Sequence, residues 1–88
     1  MEDYEVSEVA KILSEWNPLG DEAKYVQDLD GYKTESIDIL FQIKMSKGRA
    51  GVEKSVMEVL NEAFDINLKR SECSEVATLI FRFLSNKH

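Results

Sequence analysis

An all-α fold, a small single-domain bundle of about four helices, is what this chain predicts, and three observations carry it. Apolar residues recur at helical spacing in four separate stretches. The breakers are sparse, one proline and four glycines, and they fall between those stretches. The 88 residues are 43% hydrophobic and 32% charged, enough apolar surface for one core spanning 1–88 and too little for two.

The first helix is expected over about 4–16, with Asp3 or Ser7 as its cap. Val6, Val9, Ile12, Leu13 and Trp16 share one face. Asn17-Pro18 ends it, because a proline disfavours helical backbone in the residue before it, and Gly20 then permits a turn. Residues 21–31 offer at most a short helical turn around Ala23–Asp28, stopped by Gly31. A second helix is expected over about 33–45. Ile37, Leu40 and Phe41 share a face that Ile39 and Ile43 widen, which suggests a central element. A strand over Ile37–Ile43 is the competing reading, but a lone strand finds no partner in this chain. Ser46–Gly51 reads as a basic, glycine-bounded loop. The third helix, about 52–64, aligns Val52, Val56, Val59, Leu60, Ala63 and Phe64. Asp65–Arg70 is a connector. Ser71 with Ser74-Glu75 opens a last helix over about 72–85, whose expected buried face is Cys73, Val76, Ala77, Leu79, Ile80, Phe83 and Leu84.

Charge narrows the function. Eleven bases against seventeen acids leave a formal −6, and residues 1–38 alone carry eleven acids and three bases. Direct nucleic-acid binding is not expected, because phosphate recognition needs a basic footprint. The acidic half instead suits a basic protein partner, whose approach it would steer. No apolar run approaches a membrane span, and the acidic opening MEDYEVSE is unlike a secretory signal. With one cysteine and no internal disulfide available, a reducing, cytoplasmic setting is the expectation.

Catalysis has few means here. The sole histidine is His88, and Cys73 falls on an apolar face where a thiol is inert. One cysteine and one histidine cannot close a zinc site, and Gly48-Arg49-Ala50-Gly51 lacks the lysine and hydroxyl of a phosphate loop. Setting Gly31 as the turn glycine of a calcium loop puts Val26 and Ile37 at ligand positions, so that pattern fails. No Asp-Ser-Leu triplet marks an acyl-carrier domain. Glu35 and Asp38 share a helix face but form no evident acid–base pair. The expectation is therefore no enzyme, no metal and no cofactor.

Trp16-Asn17-Pro18-Leu19-Gly20, then Tyr32 with Thr34-Glu35 and Asp38-Ile39, then Val59–Phe64 and Cys73 with Val76-Ala77 follow one another in order. This order resembles a family of small all-helical bacterial proteins of unknown function, best known from bacilli. Its members carry a Trp-Asp-Pro-aliphatic-Gly turn, a Tyr-x-x-Glu-x-x-Asp helix start and a Cys-x-x-x-Ala final helix. The resemblance spans about residues 5–84 and implies the helical fold but no activity. Asn17 stands where the family usually has Asp, and Asp21–Gly31 looks like an insert.

The functional expectation is a non-catalytic binding domain. By composition it is similar to an acidic immunity protein that neutralises a basic toxin, such as a nuclease, of a bacterial competition system like contact-dependent growth inhibition. The partner surface is expected at Asp21, Glu22, Tyr25, Asp28, Asp30, Tyr32, Glu35 and Asp38, with Trp16, Asn17, Pro18 and Gly20 forming a structural turn. The alternative is a cytosolic adaptor or regulatory protein, homodimeric through Ile37–Ile43.

Overall fold

The computed structural model describes residues 3–26, 30–44 and 48–86, and its regular elements are helices. Four α-helices, α1 (Asp3–Trp16), α2 (Lys33–Ile43), α3 (Gly48–Phe64) and α4 (Arg70–Ser85), are joined by one long and two shorter connections. The longest, between α1 and α2, contains a 3-10 helix over Gly20–Tyr25. Each helix packs on its neighbours in chain order and α4 closes back on α1, so among the described residues α1 and α3 lie across one diagonal and α2 and α4 across the other. The Cα radius of gyration is 12.0 Å, the value of roughly 12 Å expected for a compact chain of this length.

The core is the point where the four apolar stripes meet. Val9 and Leu13 of α1, Ile39 and Leu40 of α2, Val56 and Leu60 of α3, and Cys73, Val76, Ala77 and Ile80 of α4 are all buried. Cys73 packs among these apolar side chains as a fully buried free thiol. Burial, helped by the nearby charges of Glu72 and Glu53, pushes its thiol up to about 11, so it carries almost no thiolate at neutral pH.

Packing redraws several of the sequence-based boundaries. The expected loop Ser46–Gly51 is shorter than the glycines suggested, since α3 already begins at Gly48. Gly51 inside this first turn costs roughly 1 kcal/mol, and ties from α4 oppose that cost. Arg70 donates to the Ala50 carbonyl (3.2 Å) and pairs with Glu53 (3.2 Å), while Val52 is buried. α4 starts at Arg70, ahead of the Ser71 expected to open it. Lys69 is its N-cap residue, and Glu72 reaches back to accept the Lys69 backbone N–H at 2.9 Å. The helical turn expected around Ala23–Asp28 lies earlier, over Gly20–Tyr25, and is 3-10; Asp28 lies outside the described residues, as does Met45, the expected end of the second helix.

The widest expected stripe is also trimmed. α2 presents Ser36, Ile39 and Leu40 to the interior, and Ile37 (37% exposed) and Phe41 (65%) remain outside. A helix wedged between two neighbours can bury roughly the arc those neighbours cover, and Ile37 and Phe41 fall beyond it. For the same reason Leu79 of α4 is half-exposed and Ala63 of α3 faces solvent.

Candidate functional site

The Asn17–Gly20 turn is a local consequence of its four residues. Asn17 N–H closes α1 onto the Leu13 carbonyl (2.7 Å), and Gly20 N–H returns to the Asn17 carbonyl (2.9 Å). Asn first, Pro second and Gly fourth are the preferences of a type I turn. Asn17 and Gly20 both take positive φ, +49° and +59°, which Asn and Gly tolerate best. The Asn17 side chain donates from Nδ2 to the Gly20 carbonyl at 3.2 Å.

Its other amide atom reaches a residue fifteen positions away. The Tyr32 hydroxyl donates to Asn17 Oδ1 at 3.0 Å, so the turn that ends α1 is bonded to the residue that precedes α2. Tyr32 itself is 2% exposed and packs edge-on against Phe64, ring centroids 6.0 Å apart. It occupies the left-handed region (φ 65°), directly after Gly31 (φ 61°), and precedes α2 as its N-cap residue. Strain of about 1–3 kcal/mol attends such a conformation. Burying the ring, roughly 150–250 Å² at about 25 cal/mol per Å², is worth about 4–6 kcal/mol and wins. Ser14 of α1 donates to the Gly31 carbonyl (3.2 Å), and Ser36 of α2 donates to the Tyr32 carbonyl (2.7 Å). A Cβ at Gly31 would lie 3.5 Å from Ser14 Oγ, so the left-handed φ and not space reserves that position for glycine. Tyr32, expected at the partner surface, is enclosed in the core, where its ring and hydroxyl serve the scaffold.

The other expected contact residues fall on different elements. Asp21 is exposed in the 3-10 helix, whose backbone includes Glu22 and Tyr25; Asp30 begins the turn leading to α2, and Asp28 lies outside the described residues. Glu35 is only 9% exposed, and its Oε1 has no hydrogen-bond partner among the described residues. Burial pushes the Glu35 carboxyl above its ordinary value; its own backbone N–H opposes this, and Asp38 adds to it. Asp38 is exposed. Trp16, at the end of α1, lines a groove together with Val76 and Leu79 of α4.

Comparisons with protein-family models, curated proteins and solved structures gave no match. The site therefore rests on geometry.

What the structure does assemble around Asp38 is an open cleft between α2 and α3. Asp38, Phe41 and Gln42 form one wall, and Val59, Glu62 and Ala63 form the other, around about 510 Å³. An exposed aromatic in a cleft with two carboxylates is an anchor arrangement suited to a cationic protein surface. Phe41 and Glu62 escaped the sequence reading because Phe41 shares the apolar band assigned to the core. Only the placement of α3 shows which flank of that band stays outside. Among the described residues, no three His, Cys, Asp or Glu side chains gather as a metal site, and no helix is long and apolar enough to cross a membrane.

Proposed function

We propose that this protein is a non-catalytic, cytoplasmic binding domain of the immunity type. In this reading it is an acidic helical inhibitor that neutralises a basic toxin domain, a nuclease for instance, of a bacterial competition system such as contact-dependent growth inhibition. The observation that carries the proposal is Phe41, 65% exposed, in a cleft flanked by Asp38 and Glu62. The formal charge of −6 supports the same partner chemistry through long-range steering. Membership in the small bacterial helical family belongs to this proposal, supported by the bond that joins two of its motif segments at Asn17 and Tyr32.

The test is affinity capture of the tagged protein from its host in low and then moderate salt. The expected result is a stoichiometric basic protein that elutes with salt and whose toxicity is suppressed by co-expression. Asp38→Lys with Phe41→Ala should weaken both capture and protection. Recovery of the bait alone, or of an acidic housekeeping complex, would remove the inhibitor reading.

A second reading, a homodimeric adaptor or regulatory protein, is favoured by the exposed pair Ile37 and Phe41, one helical turn apart on α2. Light scattering separates the two. A mass that doubles with concentration and returns to the monomer value in Phe41→Lys belongs to the adaptor.

A further inference from the structure

On the opposite edge of the bundle, α1 and α4 leave a groove that the proposed function does not use. Its apolar lining is Ile12 and Trp16 from α1 with Val76 and Leu79 from α4, around about 300 Å³. Leu79 is 47% exposed, although its position would suit a core residue. Each ionisable side chain lining the groove is a glutamate: Glu15, Glu72 and Glu75. Among the described residues none of the three is engaged in an ion pair; the Glu72 carboxylate accepts the Lys69 backbone N–H, which leaves its charge uncompensated.

We propose that this groove is a second docking site, and that its occupant is a cationic amphipathic helix of a partner protein. Two facts select that occupant. The groove runs between two packed helices, a surface into which the side-chain ridge of a third helix inserts at ordinary interhelical distances. The glutamate rim then asks for lysine or arginine flanking the apolar ridge. An acidic helix would meet like charges directly beside its anchors, and a neutral one would leave the three carboxylates partly desolvated and unpaired. The volume suits a few inserted side chains and lies at the lower limit of pockets that enclose a whole small ligand.

Trp16 is the sole tryptophan of the chain and lines this groove, so it reports occupancy without a label. The probe is a synthetic leucine–lysine amphipathic peptide of about four helical turns, free of tryptophan, with a leucine–glutamate peptide of the same pattern as control. The lysine peptide should shift Trp16 emission to the blue, saturate at one peptide per chain, and weaken as salt rises. Glu15→Lys with Glu75→Lys should weaken binding by about tenfold or more, and Leu79→Lys should abolish the shift. All three positions are exposed, and circular dichroism checks that the variants keep their helix content. The proposal is overturned by unchanged emission with the lysine peptide, by equal binding of the glutamate peptide, or by equal binding to the charge-reversed variant. It is also overturned if dilution of the protein alone shifts Trp16 and Leu79→Lys removes that shift, since the occupant is then a second copy. Capture of a basic partner by Asp38 and Phe41 does not depend on any of these outcomes, so the two sites stand or fall separately.

Discussion

Two asparagines hold the two connections that meet at one end of this bundle, and they do so over different ranges. Asn61 stays within its own hairpin: Nδ2 donates to the Leu68 carbonyl (3.1 Å) and Oδ1 accepts the Leu68 N–H (2.7 Å), bracketing a single residue seven positions on. Asn17 divides its amide between the adjacent turn and the hydroxyl of a buried tyrosine on the far side of the connection. The two connections face each other across an open, largely apolar cleft of about 820 Å³, with Pro18, Leu19 and Val26 on one side and Ala63–Leu68 on the other. Asn61 organises a connector locally. Asn17 makes the α1–α2 connection conditional on the core being formed.

Variants that break this contrast rank by how much of the core they disturb. Tyr32→Ala removes the ring against Phe64 and the acceptor's partner together, and should cost about 3–5 kcal/mol by urea denaturation. For a domain of this size, whose total stability is on the order of 5–15 kcal/mol, that approaches unfolding. A loss below about 1 kcal/mol would show that Tyr32 is not part of a cooperative core. Asn17→Ala should cost about 1–3 kcal/mol, because the Tyr32 hydroxyl loses its acceptor and the positive φ loses a tolerant residue. Asn17→Asp keeps the acceptor for Tyr32 but cannot donate to Gly20, so it should lie between wild type and alanine.

Tyr32→Phe, at about 1 kcal/mol, sharpens the comparison through double-mutant cycles. Combined with Asn17→Ala its cost should be clearly less than additive, because both changes delete one shared bond. Combined with Asn61→Ala the costs should add, since the two brackets share no partner. Coupling between Tyr32 and Asn61 would mean that the facing connections act as one unit.

The smallest effect is the most specific in pH. The Glu35 carboxyl has its folded-state value raised above the ordinary value near 4.5 by burial. The native state therefore holds that proton more tightly than the unfolded chain. Its contribution favours folding most below about 4.5 and declines as pH rises through the window up to the raised value. Glu35→Gln should remove that decline, so the variant gains on wild type as pH rises through this window. Parallel stability–pH curves for the two proteins would show that Glu35 titrates as it does in the unfolded chain.

Much of the architecture was legible because helix formation is read from neighbours three and four residues apart. Val9, Leu13, Val56, Leu60, Val76 and Ile80 sit on the stripes that periodicity assigns to them, and the Asn17-Pro18 stop falls where proline's steric clash puts it. Local chemistry was harder to read where packing overrode it, as at the glycine-bounded start of α3, held by Arg70. The partner residues were the least legible. Tyr32, Glu35 and Asp38 follow one another at a spacing of three, yet the structure buries the first two and exposes the third.

The sequence by itself determined that this chain forms four amphipathic helices with an excess of negative charge, because both properties are sums over local residues. Only the tertiary structure decided that Asn17 meets Tyr32 and that Phe41 and Leu79 stay outside while their stripe-mates are buried. It also decided that Glu15 joins Glu72 and Glu75 around one groove. Each of these depends on which helix lies against which and at what rotation, and a helix's own periodicity defines its apolar arc without saying how much of that arc its neighbours will cover.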